Sequence, residues 1–264
     1  TGSQCASIEK AFGGRAALVE AVGNAALTGF TLPKILWLRE NEPRVFARVA
    51  HILLPKDYIR LRLTGALATD VGDASGTLLF DVDRRAWNAR ACATVGVDPA
   101  LLPRAVESAV VTGRITPWAA AQTGLPVGTP VVGGSGDNQA GAVGAGIVSP
   151  GMVLATLGTS GVIYAHADRA RKDLSGAGSG RVHTMCAATG SAGGPGAWSI
   201  TGCMLSAGGS LNWCREVIAP GVNFETLMEE AANVAPGSGG LVFLPYLTGE
   251  RCPHPDPEAR GGWI

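Results

Sequence analysis

Asp137 is the acid in this chain best placed to do chemistry. It stands in the run Val131-Val132-Gly133-Gly134-Ser135-Gly136-Asp137-Asn138-Gln139-Ala140-Gly141-Ala142. The two β-branched residues suit the end of a buried strand. The Gly-Gly-Ser-Gly stretch lets the backbone turn sharply and a ligand come close to it. Small residues then continue through Ala145 and Gly146 and predict a tightly packed helix. Asp137 therefore falls where a strand end meets a helix start, the place at which open α/β sheets bind ligands. Two readings follow. Asp137 is a helix cap, accepting from the orphan N–H groups of the first turn. Alternatively it is a weak base at the favourable end of a helix dipole, sufficient for a phosphoryl transfer in which positioning and charge carry most of the catalysis.

A second stretch, Gly158-Thr159-Ser160-Gly161, joins two apolar runs, Met152–Leu157 and Val162–Ala165, that read as paired strands. A plain hairpin turn accounts for it. A phosphate cradle does so as well, because flanking glycines expose successive N–H groups and two hydroxyls add donors for an anion. No GxxxxGK[ST] occurs, so the cradle is not a P-loop, and no GxGxxG follows a strand. Lys34 is either a sugar or phosphate ligand or a solvated lysine on a helix face.

The elements that must position these groups are legible in outline. Ser7–Val22 reads as helical with a break at Gly13-Gly14, and Pro33 suits the first turn of a helix that continues to Asn41. His51–Leu54 reads as a short buried strand, followed by a helix packed down by Ile59, Leu61 and Leu63 and ended at Thr64-Gly65. Asp70–Thr77 is polar and turn-rich and could line a sugar cleft. Asp81–Pro103 reads as a turn and a short helix with Trp87 as a core anchor, and Thr116–Gln122 as a helix. Ser149-Pro150-Gly151 is a strong break. Beyond it Val182–Ala188 reads as a strand and Gly190–Gly196 as a flexible glycine-rich loop. A helix is predicted from Met204 to Trp213, its glycines allowing close approach by a neighbour or a nucleotide. An amphipathic helix over Phe224–Val234 and a buried strand over Leu241–Leu244 complete the pattern, with no internal repeat.

Composition narrows the functions. The chain has 264 residues, with 21 Lys plus Arg against 21 Asp plus Glu, so no basic field exists to hold nucleic acid or anionic lipid. No apolar run is long enough to span a bilayer, and no signal peptide is expected at its start. The six cysteines are scattered without a CxxC pair and read as free thiols of a reducing cytoplasm. Neither they nor the four histidines cluster as a metal site.

Taken together, Gly29–Asn41 with its Lys-x-x-Trp motif, Leu53-Leu54-Pro55-Lys56-Asp57-Tyr58, Gly133–Gly146, Gly158–Gly161 and Leu244–His254 resemble the FGGY family of carbohydrate kinases, most closely its xylulokinase branch. The resemblance runs over essentially the whole chain in the family's order. It implies an α/β, actin-like ATPase (ribonuclease H-like) two-domain fold, incomplete at both ends. Residues 1–148 would form the C-terminal part of the sugar-binding domain, and 149–264 the N-terminal part of the nucleotide-binding domain.

The reaction implied is ATP plus D-xylulose giving ADP and D-xylulose 5-phosphate, with Mg²⁺ held mainly through phosphate oxygens. Asp137 falls at the family's catalytic base and Asn138 beside it at a sugar contact. Gly158 and Thr159 match residues near the ATP phosphates, and Gly208 and Asn212 match positions near the nucleotide. The implied partners are small molecules, sugar and ATP, with neither nucleic acid nor membrane, and the resemblance leaves room for a homodimer. Departures are expected to matter. The family's opening Asp-x-Gly-Thr/Ser phosphate loop, its Asp-Gly-Arg sugar segment and its downstream Gly-Gly-Gly adenosine motif lie outside this chain, and Ala187 stands where xylulokinases usually carry His. The chain thus reads as the middle of a kinase. Alternatives are a non-catalytic sugar-binding remnant and a kinase for gluconate, glycerol or ribulose.

Overall fold

Gly13 and Gly14, with φ of 85° and 121°, separate a helix over Gly2–Phe12 from one over Arg15–Val22. The break is the expected one, although the first helix begins earlier than Ser7. A third helix, Thr31–Asn41, carries Pro33 in its first turn. These helices and a fourth over Ala89–Val95 bury Ile8, Leu18, Val22, Leu32, Ile35, Leu36 and Cys92 against Leu78 and Leu79. Trp37 on the third helix instead faces solvent. Each side chain as fully buried as these leucines contributes on the order of 1.5–3 kcal/mol, so this cluster anchors the fold.

The computed structural model describes residues 1–175, 178–190 and 196–264. Of the glycine-rich loop expected over Gly190–Gly196, residues 191–195 lie outside them. The chain divides into two compact units. One comprises Thr1–Val153 with Tyr164–Thr201, the other Leu154–Ile163 with Gly202–Ile264. No helix among the described residues is long and apolar enough to cross a membrane.

In the first unit, a parallel pair joins Ala68–Asp70 to Arg104–Val106, with Asp70 opposite Val106. An antiparallel pair joins Val111–Arg114 to Pro130–Val132 through an irregularity between Val111 and Gly113. Trp87 closes a short pair with Phe80, their rings edge-on at 5.4 Å, and donates its indole N–H to Pro103. It is the anchor expected. The helix Pro117–Thr123 is capped by Thr116.

The segment returning from residue 164 is sewn on by buried polar groups. Asn24 donates to the carbonyls of Thr184 and Ser75 and accepts from the Thr184 N–H. The indole of Trp198 donates to Val82, and the strand His183–Cys186 pairs antiparallel with Trp198–Thr201. Arg85 makes a two-pronged ion pair with Glu107 at 2.6–2.7 Å and reaches the carbonyl of Ala197.

Three expectations need correction here. His51–Leu54 forms no strand. The run ends on Pro55, which has no N–H for a ladder, and its apolar side chains pack individually, Ile52 against the helical core. In the helix Pro55–Thr64 that follows, Ile59 is exposed, and the buried residues are Asp57 and Arg60. The strand ending at Val132 is half exposed rather than buried, because it pairs with a single partner strand.

The second unit holds the turn Gly158–Ser160, a helix over Gly208–Trp213 running into a wider turn at Cys214–Ile218, and the helix Phe224–Ala232 capped by Asn223. Phe243–Leu244 pairs antiparallel with Gly262–Trp263, and Phe243 lies between Trp213 and Trp263 at 5.6 and 4.6 Å. The strand expected over Leu241–Leu244 is thus shorter and only half buried. Met204 ends a strand, Trp198–Met204, instead of starting a helix. Trp198 to Thr201 alternates apolar and polar, but the buried residues are Ser199 and Thr201, so the apolar side chains do not mark the buried face.

Candidate functional site

Asp137 is the first residue of the helix Asp137–Gly144, and Gly136 occupies the cap position with no side-chain cap bond. Asp137 is thus not the residue at the cap position, although its carboxylate still accepts from one N–H of the first turn. The Asp137 side chain is exposed, and its Oδ1 accepts from the N–H of Asn138 at 2.7 Å. Asn138 is exposed beside it, while Gln139 and Ala142 turn inward and seat the helix. The expectation that a glycine turn delivers an acid to a helix start is met. The helix ends at Gly144, and several of its residues face solvent, so it is less enclosed than the small residues suggest.

The loop that presents Asp137 rests on a charge cluster that sequence reasoning missed. Arg60, buried, donates to the carbonyls of Ala68, Val132 and Gly133. It pairs with Asp57 at 3.0 Å. Lys56 reaches Asp57 and Asp70 at 2.7 Å each and Asp73 at 3.4 Å. Asp70 also caps the short helix Val71–Ala74, accepting from Gly72 and Asp73. Burial opposes the charge on Lys56, but the Asp70 and Asp57 carboxylates outweigh it and hold the Lys56 pKa above its ordinary value. The Asp73 carboxyl is pushed up by burial and further by its neighbours Asp57 and Asp137, against the pull of Lys56. The turn-rich Asp70–Thr77 segment thus faces the loop of Asp137. The available signal was the i, i+3 spacing of Asp57 and Arg60 beside Pro55.

In the second unit, Gly158 donates to Ser160 at 3.0 Å and its carbonyl accepts from Gly208 at 2.9 Å. Thr159 accepts from the N–H groups of Ala207 and Gly209. Ser160 Oγ donates to Leu205. Two of the donors expected of a phosphate cradle are thereby engaged, the Gly158 N–H within the turn and the Ser160 hydroxyl on Leu205, while Thr159 stays exposed. A Cβ on Gly208 would come within 2.7 Å of the Gly158 carbonyl oxygen, so the glycine there serves the approach of this turn. Asn212 is exposed on the same helix. The sequence also passes over Glu250. Buried, it accepts from the N–H groups of Leu205 and Arg251 at 2.9 and 2.6 Å and so ties its loop to the strand leading into Gly208. Lys34 lies on the exposed face of the helix Thr31–Asn41 and donates to the Gly29 carbonyl at 2.8 Å.

The chain belongs to the FGGY family of carbohydrate kinases, since residues 1–144 match that family's N-terminal domain. Its relatives narrow the comparison. It is 40% identical to the xylulose kinase of Bacillus subtilis over 264 residues, all of this chain and 51% of the relative. It also resembles the crystal structure of xylulose kinase from Rhodospirillum rubrum, with a TM-score of 0.88 at 32% identity, covering 100% of this chain and 51% of that one. A gluconate kinase from Lactobacillus acidophilus gives the same TM-score of 0.88 at 24% identity, over 99% of this chain and 52% of that one, and speaks for the fold alone. The fold is α/β, of the actin-like ATPase type shared by these kinases. The chain spans about half the length of the curated relatives it matches.

Proposed function

We propose that this chain is part of a kinase that transfers the γ-phosphoryl group of ATP to a hydroxyl of a sugar, D-xylulose. Asp137 is the general base and Asn138 an adjacent sugar contact. The carboxylate accepts the hydroxyl proton as the sugar oxygen bonds to the γ-phosphorus and the bond to the ADP oxygen breaks. Gly158 and Thr159 lie near the phosphates and Gly208 and Asn212 near the rest of the nucleotide. Mg²⁺ enters with ATP on its phosphate oxygens as part of the substrate. In this reading, residues 1–148 serve the sugar and 149–264 the nucleotide, and the protein works in the cytoplasm, which suits six free thiols.

The observation that carries the proposal is the exposed Asp137 carboxylate, set on the first turn of a helix by a loop anchored from beneath. Relatives named as xylulose kinases support the choice of sugar. The test is ADP release by the full-length protein with a panel of D-xylulose, D-ribulose, gluconate and glycerol. Preference for D-xylulose is the expected result. Folded protein that phosphorylates none of the four would overturn the reading, and preference for another would correct the substrate.

A further inference from the structure

The two carboxylate oxygens of Asp57 meet different surroundings. Oδ1 takes both cations, Lys56 at 2.7 Å and Arg60 at 3.0 Å. Oδ2 is buried and has no hydrogen-bond partner among the described residues. The same holds for the hydroxyl of Thr69, a residue only 1% exposed. Thr69 lies in the strand Ala68–Asp70, directly after the carbonyl of Ala68 that Arg60 holds. Side chains alternate along a strand, so Thr69 points away from the face on which Asp70 meets Lys56. Asp57 and Thr69 both border one small cavity, with Ile52, Leu54, Leu79 and Trp87 around them, and it leaves about 10 Å³ for the centre of a water molecule.

We propose that this cavity is the site of one structural water, which donates to Asp57 Oδ2 and accepts from the Thr69 hydroxyl. A buried carboxylate oxygen or hydroxyl that leaves solvent without a new partner is costly. Buried waters settle where at least two such groups border a space of roughly 10–15 Å³. The volume is too small for a sugar or a nucleotide. Most of the wall is apolar, which leaves a metal ion short of the several oxygens it requires. The water completes the hydrogen bonding of the acid that holds Arg60, and Arg60 in turn holds the Gly133 carbonyl. The Thr69 hydroxyl thus belongs to the anchor beneath the loop of Asp137. The inference stands on the cavity and its two buried polar atoms, and is independent of the role of Asp137 in the reaction.

The test joins a high-resolution crystal structure of the full-length protein to the stability of Thr69→Val, which keeps the side-chain shape and removes the hydroxyl. Density for a single water within hydrogen-bond distance of both Asp57 Oδ2 and Thr69 Oγ1 is the expected result. Loss of the bridge should lower the folding equilibrium constant of Thr69→Val, read by urea titration, by about tenfold. The sign of that change discriminates. A hydroxyl buried with no partner at all, or a Thr69 that matters only for its shape, would leave Thr69→Val as stable as the parent or more so. A cavity without water density, or a Thr69→Val protein no less stable than the parent, overturns the proposal. Should Thr69→Val fail to fold, the density in the parent decides alone.

Discussion

Arg60 donates its guanidinium to the carbonyl of Gly133, 73 residues further along the chain and close before Asp137. The same side chain holds Val132 and Ala68, so a single buried cation joins the strand end, the glycine turn and the parallel strand pair. The charge is tolerated because Asp57 lies against it and the carbonyls take the remaining donors. The loop before Asp137 is fixed from a helix that an apolar pattern would have packed by its leucines.

Breaking that arrangement should be costly. Arg60→Met leaves three carbonyls without this donor and Asp57 with only Lys56 as a charged partner. A loss of about 3–5 kcal/mol of stability is expected, as for other buried pairs deprived of one member. Urea titration of variant and parent measures it. A loss within a few tenths of a kcal/mol would mean that water replaces the guanidinium.

Substitution of the base has a different signature. Asp137 is exposed, and an amide oxygen can still accept from the Asn138 N–H, so Asp137→Asn should leave the melting temperature nearly unchanged. Under the proposed mechanism kcat falls by about 10²–10⁴-fold, while D-xylulose binding, followed by calorimetry, persists. Retained turnover would remove Asp137 from the chemistry.

These two residues also mark how far the sequence could be read. Asp137 was legible because glycines, a short apolar run and small residues are local signals, and each restricts the backbone on its own. The Arg60 cluster was not, since its partners lie on four separate elements and periodicity counts a buried Arg and Asp as solvent-facing. Ile59 shows the same failure from the other side, apolar yet more than half exposed. The strand Trp198–Met204 escaped because its register is set by pairing with His183–Cys186, a tertiary fact absent from its composition.

Gly208→Ala tests the turn in the second unit. The added methyl would sit 2.7 Å from the Gly158 carbonyl oxygen, which is backbone and cannot swing aside. Either the Gly158–Ser160 turn or the start of the helix Gly208–Trp213 must shift, at a cost of roughly 1–3 kcal/mol. If this turn meets the nucleotide, the KM for ATP should rise several-fold with the KM for sugar little changed. Equal changes in both would place the turn elsewhere in the reaction.

Cys186 should be the slowest of the thiols. It is fully buried, and burial above all pushes its pKa up to about 11, despite the Arg85 charge nearby. The reactive thiolate is therefore scarce and inaccessible at neutral pH. Mass spectrometry after brief iodoacetamide treatment should find Cys203 and Cys214, both partly exposed, labelled well before Cys186. Early labelling of Cys186 would mean that the strand pair around it opens readily.

Asp173 supplies the pH dependence. Its carboxylate accepts from the backbone N–H of Arg181 at 2.9 Å and from the guanidinium at 3.1 Å, and this hydrogen bonding lowers its pKa to about 2. A folded-state value below the unfolded one means that the folded state holds its proton less tightly, so the contribution to stability is present above the unfolded value and lost as pH falls through the folded one. The window runs from the ordinary 3.8 down to about 2. Asp173→Asn should therefore be less stable than the parent at pH 6, with the difference shrinking steadily below pH 4, a trend that paired denaturant titrations would resolve. A difference that stays constant across the acid range would show that the interaction depends on shape and hydrogen bonding alone, without the charge.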